Sequence, residues 1–134
     1  METVTTLKLT LSCKWYDMIE SGIKKEEYRD ITPYWISRTC RKNGKHLTKE
    51  EKATLFNILH ETDALGFVAA IISCGITFYN HKTITFYRGV PYFSDKAKHM
   101  TWSIESTGIG IGNIDWGAPQ NKHVIKLTLG ERIL

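Results

Sequence analysis

The residues best equipped for chemistry lie in one run, Ser21-Gly22-Ile23-Lys24-Lys25-Glu26-Glu27-Tyr28-Arg29-Asp30. A lysine beside a carboxylate can act as a proton-transfer pair, or as a nucleophile once burial lowers its pKa. An arginine on the same element can clamp a phosphate or carboxylate with two parallel hydrogen bonds. Lys24, Glu27 and Arg29 supply these three groups. The structural alternative is a lattice of ion pairs that pins the run to its neighbours, and residue chemistry alone leaves the two readings level. If the run is extended, Lys25, Glu27 and Arg29 share one face, while Lys24, Glu26 and Tyr28 share the other. A twist or bulge must then bring Lys24 round before the three can act together. Lys25, Glu26 and Asp30 read as solvated neighbours.

Charge runs are ordinarily solvated surface or tail, but this one is bracketed by structure signals. Ser12 is a candidate N-cap for a helix over residues 13–21, where Trp15, Met18 and Ile19 recur at helical spacing and Gly22 follows as the stop. Thr32 and Pro33 open a second helix, running to about Arg41, that carries Tyr34 and Trp35. Ahead of both, residues 4–11 alternate as a half-buried strand with Leu7, Leu9 and Leu11 on one face. Lys42-Asn43-Gly44-Lys45 reads as a turn. Thr48-Lys49-Glu50-Glu51 is a capping box, and a further helix restarts at Thr62-Asp63 and stops at Gly75. Period-two patterning then predicts strands over residues 83–88, 99–111 and 124–129, with a turn at Gly89-Val90-Pro91 and a loop over 113–120. The order implies an α+β domain with a small mixed or antiparallel sheet curled towards a barrel.

Other motifs carry less. Gly108-Ile109-Gly110-Ile111-Gly112 lacks the lysine of a phosphate loop and opens no helix, so its glycines read as a bend, a bulge or close backbone approach. Cys13, Cys40 and Cys74 are odd in number and far apart, which predicts reduced thiols in a cytoplasmic setting rather than a disulfide framework. The five histidines form no HxH or HExxH cluster, so no metal or cofactor is expected. No secretory leader is read at the N-terminus, and the most apolar stretch, residues 64–76, is shorter than the roughly 20 residues a membrane span needs. At 134 residues, with 42% hydrophobic and 24% charged content, the chain fits a single globular domain. Its net charge of +4 suits a phosphate-bearing partner without requiring one.

Residues 15–29, with Gly22-x-Lys24-x-x-Glu27-x-Arg29 after an amphipathic helix, resemble the signature of the ASCH domain. That family is named for its similarity to a transcriptional coactivator, activating signal cointegrator, and is grouped with the PUA-like folds. The resemblance continues through Asp30-Ile31-Thr32-Pro33-Tyr34-Trp35, a segment common in small prokaryotic and phage members. It resumes at Phe86-Tyr87-Arg88-Gly89 and at Gly112-Asn113-Ile114-Asp115-Trp116-Gly117-Ala118-Pro119, and ends in Val124-Ile125-Lys126-Leu127. About residues 42–80 fall outside it and read as a helical insertion.

The resemblance implies one domain over residues 1–134, a PUA-like β-barrel of about five or six strands with peripheral helices. It also implies a ligand cleft beside the first helix and the charged run, with RNA or a nucleotide-like molecule as the ligand. Some small members are amidohydrolases acting on acylated cytidine, and at least one has reported ribonuclease activity. Lys24 falls at the lysine those amidohydrolases use. Glu27 stands where they carry a threonine nucleophile, and residues 112–121 replace the loop holding their further glutamate, so the chain departs from that reaction.

The expected function is therefore RNA or nucleotide binding. Lys24 and Arg29 would contact phosphate, and Glu27 would orient them or accept from a base amino group. Trp15, Tyr34, Trp35 and Trp116 are candidate stacking platforms, though any one of them can equally be a core residue. The first alternative is a small hydrolase of N-acylated nucleosides or RNA, with Lys24 and Glu27 as the acid–base pair. The second is a protein-interaction domain that uses residues 45–75.

Overall fold

Alternation of Leu7, Leu9 and Leu11 with Thr6, Lys8 and Thr10 sets β1 (Thr6–Leu11), whose three leucines are buried. The computed structural model describes residues 6–79, 81–89 and 98–134. Residues 4 and 5 of the predicted first strand, and residues 90 and 91 of the predicted turn, lie outside the described residues.

Helix α1 (Cys13–Glu20) follows at once. Ser12 occupies the cap position, but its side chain makes no capping hydrogen bond. Tyr16 and Ile19 carry the deepest burial, and Trp15 and Met18 flank them half-buried. Gly22, at φ +84°, takes the left-handed conformation that ends the helix, and Ile23 N–H and Lys24 N–H both donate back to the Met18 carbonyl. Arg88 also grips α1 from the sheet, its Nε donating to Asp17 Oδ1 at 2.9 Å and its Nη2 to Oδ2 at 3.1 Å.

The charged run becomes β2 (Glu26–Arg29) and leads to α2 (Pro33–Thr39). Thr32 caps α2 as its sequence predicts, its hydroxyl accepting from Trp35 N–H at 3.2 Å with Pro33 in the first turn. The helix stops short of Arg41, because Cys40–Lys42 forms a short strand, β3. Asn43 and Gly44 take positive φ of 51° and 77° in the predicted turn.

Two helices come next. In α3 (Lys49–Glu61) the capping box is complete: the Thr48 hydroxyl accepts from Glu51 N–H, and the Glu51 carboxylate accepts from Thr48 N–H. Asp63 caps α4 (Ala64–Ser73) by accepting from Gly66 N–H at 2.8 Å. Strand β4 (Ile76–Phe78) then pairs antiparallel with β3. The segment expected to be a helical insertion is thus two helices clasped by a two-stranded ribbon.

The chain finishes with β5 (Thr83–Arg88), β6 (His99–Ile111), a 3-10 turn at Ile114–Trp116 and β7 (His123–Arg132). The main sheet runs in the order β1-β5-β6-β7-β2, with β1 and β5 parallel and every other pair antiparallel. Long β6 pairs first with β5 and then with β7, and shifts register between Trp102 and Ser106. Such irregularities bend a strand, and the five strands curl into a half-barrel. The expectation of an α+β domain with a curled, mixed sheet agrees with this architecture. The glycine run at its end serves close approach: a side-chain carbon at Gly112 would lie 2.6 Å from the Tyr28 ring.

Two larger hydrophobic cores and a small third cluster of Tyr28, Ala118 and Val124 lie among the described residues. One joins Leu7, Leu9, Tyr16, Ile19, Phe86 and Leu127 on the inner face of the sheet. The other joins Ile36 of α2 and Ile125 of β7 to Leu55, Phe67 and Ile71 of α3 and α4. Trp35 packs against both. Cys13, Cys40 and Cys74 carry no disulfide, and burial pushes the Cys40 thiol up to about 11. Among the described residues no helix is long and apolar enough to cross a membrane. Because the second core spans both parts, Phe67→Ala should destabilise the whole domain by about 3–5 kcal/mol. Urea unfolding followed by tryptophan fluorescence and by far-UV dichroism should give one coincident transition. Separate transitions would mean that α3 and α4 fold as an independent unit.

Candidate functional site

Strand β2 is an edge strand whose sole strand partner among the described residues is β7, with Glu27 opposite Leu127 and Arg29 opposite Ile125. Directly opposed residues share a face, so Glu27 and Arg29 point to the inner side, where Leu127 and Ile125 are core residues. Tyr28 and Glu26 point to the outer side. Lys24 precedes the strand and reaches Glu27 through the turn that ends α1, anchored by its own N–H on the Met18 carbonyl at 3.0 Å. No bulge in β2 is needed. The left-handed Gly22 does the turning.

Three cationic or polar donors converge on one oxygen, Glu27 Oε1. Lys24 Nζ lies 3.2 Å away, Arg29 Nη1 3.4 Å away, and Tyr28 N–H donates at 3.0 Å. Lys24 is 2% exposed and Glu27 4%. The same lysine donates to the Trp116 carbonyl and lies 4.6 Å from the Trp15 ring centroid. Burial lowers the Lys24 pKa below that of an ordinary lysine, and the charge and hydrogen bond of Glu27 oppose that shift. Glu27 Oε2 is buried and has no hydrogen-bond partner among the described residues.

Arg29 is the member that reaches outward. Its side chain keeps 19% of its surface, its Nη1 donates to the Tyr28 carbonyl at 2.7 Å, and its guanidinium lies 5.1 Å from the Trp35 ring centroid. It fronts a cleft of about 190 Å³ formed with Tyr28, Asp30, Trp35, Gly117, Pro119 and Val124. Lys24 instead borders a separate hollow of about 280 Å³ with Gly22, Lys25, Trp102, Glu105, Leu129 and Gly130.

The loop over the cluster is pinned from the outer face. Tyr28 Oη donates to Glu26 Oε1 at 2.8 Å and accepts from Asn113 N–H at 3.0 Å, while Lys126 Nζ lies 3.3 Å from Glu26 Oε2. Burial and the neighbouring carboxylates hold the Tyr28 phenol protonated well above the usual tyrosine range. Gly117, at φ +99°, lies against Trp15; a side-chain carbon there would come within 3.0 Å of the indole.

The structure therefore brings Lys24, Glu27, Arg29, Trp15 and Trp35 together. Trp116 joins through its carbonyl, while its ring packs on Tyr28, Ala118 and Val124. Tyr34 stands 58% exposed, edge-on to Trp35 at 4.9 Å. Lys25 is exposed, and exposed Asp30 pairs loosely with Lys122 at 3.7 Å, as solvated neighbours should. Glu26 is instead committed to Tyr28 and Lys126. Sequence reasoning missed Tyr28 and Asn113, whose only signal was their place inside the two motif segments. Among the described residues no group of His, Cys, Asp or Glu is arranged to hold a metal ion. Comparison with models of known families, with curated proteins and with solved structures yields no match.

Removing the shared carboxylate strands two cations, so Glu27→Leu should cost about 3–5 kcal/mol in urea unfolding. The double variant Lys24→Met/Glu27→Leu should recover much of that loss. No recovery would mean that the lysine and the carboxylate are not energetically coupled. A pH effect follows as well. With its folded pKa below the unfolded value, Lys24 binds fewer protons in the native state, so its contribution to stability rises with pH between the two values. The stability of wild type relative to Lys24→Met should therefore increase as the pH rises towards the ordinary lysine value of about 10.4. A flat difference would place the lysine in solvent.

Proposed function

We propose that the protein is an RNA- or nucleotide-binding module of the ASCH, PUA-like type, acting in the cytoplasm. The cleft between β2, α2 and the 3-10 turn is its ligand site. The observation that carries this reading is Arg29, which lies over the Trp35 ring in the lining of that cleft and is paired with buried Glu27. Arg29 supplies the phosphate contact, and the indole of Trp35 supplies apolar surface beside it for a base. Lys24 does not touch phosphate in this reading. Its ammonium is enclosed by Glu27, the Trp116 carbonyl and the Trp15 ring, and it positions the carboxylate. Glu27 Oε2, without a partner among the described residues, is the acceptor available to a base amino group.

Binding of a labelled single-stranded RNA should be measurable by anisotropy at low salt and should weaken steeply between about 50 and 200 mM salt. Arg29→Ala should weaken it about tenfold, equivalent to about 1.4 kcal/mol. Absence of binding at low salt, or an Arg29→Ala variant that binds as wild type does, sinks the reading.

The depressed Lys24 pKa favours a second reading, a small hydrolase in which Lys24 and Glu27 exchange a proton while Arg29 holds an anionic group. Purified protein would then turn over N-acylated nucleosides or short RNA, and Lys24→Ala would abolish the activity. Turnover that persists in that variant excludes this pair. The protein-interaction alternative rests on Phe56, Leu65 and Ile72, each left more than half exposed by α3 and α4.

A further inference from the structure

Helix α2 lies across the open side of the half-barrel. It follows edge strand β2, and Arg38 near its end reaches the opposite edge, where Nη2 lies 3.4 Å from the Lys8 carbonyl on β1. Tyr34 and Arg38 stand four residues apart and so share a helix face, with Arg38 Nη1 donating to Tyr34 Oη at 2.8 Å. The Arg38 guanidinium lies 5.5 Å from the Tyr34 ring and 5.4 Å from Trp35, the same indole that carries Arg29 at 5.1 Å. Two arginines thus share one tryptophan.

Their charge environments differ. Arg29 is paired with Glu27, whereas among the described residues no carboxylate pairs with Arg38. A guanidinium has five N–H donors, and Arg38 commits one to a good bond with Tyr34 and one to a long contact with Lys8. Lys8, whose carbonyl takes that long contact, is exposed and has no ion pair among the described residues. A purely structural tie between α2 and β1 needs neither the unneutralised charge nor the exposed Tyr34 ring.

We propose that Arg38, with Tyr34 and Lys8, forms a second phosphate-contacting subsite that adjoins the Arg29 cleft across Trp35. The ligand is then a single-stranded RNA segment rather than a lone nucleotide. One phosphate lies on Arg29, a neighbouring one lies on Arg38, and a base stacks on Tyr34. This inference rests on the reading of the cleft as a nucleotide site.

The test compares a nucleoside monophosphate with a single-stranded RNA of about a dozen nucleotides, a length within one module's reach. Wild type, Arg38→Gln, Arg38→Lys and Tyr34→Ala are each checked for unchanged thermal unfolding. Arg38→Gln should weaken the oligomer about five- to tenfold and reduce the salt slope by about 0.7. The mononucleotide should bind as to wild type. Arg38→Lys should keep the slope, and Tyr34→Ala should weaken the oligomer about fivefold or more. If Arg38→Gln leaves the oligomer unchanged, or if wild type binds both ligands equally, the subsite does not exist while the cleft reading survives. If neither ligand binds to wild type, both readings fall.

Discussion

The architecture around the candidate site depends on one buried carboxylate. Glu27 Oε1 receives Lys24 from the end of α1, Arg29 from within β2 and a backbone N–H from Tyr28. Through Lys24 the cluster extends to the Trp116 carbonyl, and through Arg29 to Trp35 on α2. Taking ions out of water costs several kcal/mol each, and their mutual attraction offsets this only where the geometry is good and the remaining donors are satisfied. Here one oxygen takes all three donors, and the other has no partner among the described residues.

Placement of the cluster follows from the sheet. A half-barrel has two free edges, β1 and β2, and unpaired strand edges must be covered or blunted. Helix α2 covers the gap, and the 112–118 loop folds over the outer face of β2 by way of Tyr28 and Asn113. The open side of the sheet therefore coincides with the aromatic and cationic side chains. Arg29 and Lys24 belong to the linings of different hollows, because the strand fixes one and the helix-ending turn fixes the other.

The segment between β3 and β4 shares its core with the barrel. Phe67 and Ile71 pack in the same cluster as Ile36 and Ile125, so α3 and α4 support α2 from behind. Any role of their outer face in recognition is tied mechanically to the helix that carries Trp35 and Arg38.

Much of this was legible in the residues. The alternation of Leu7, Leu9 and Leu11, the Gly22 stop, the Thr32-Pro33 start, the capping box at Thr48 and the length of β6 are local signals, and local physics decides them. The three residues that meet at the site were nameable because their types lie within a few positions of one another. Strands β3 and β4 were not legible, since three residues are too few to show a period and their pairing spans the whole of α3 and α4. The depth of Glu27, the enclosure of Lys24 and the two arginines on Trp35 were equally hidden. Each results from strand register, a helix-ending turn and a loop arriving from 92 residues away along the chain. Sequence by itself determined which groups were present and the local elements that carry them. Tertiary structure alone decided which charges were buried together and which one was left facing the cleft, because burial and pairing belong to contacts between distant segments.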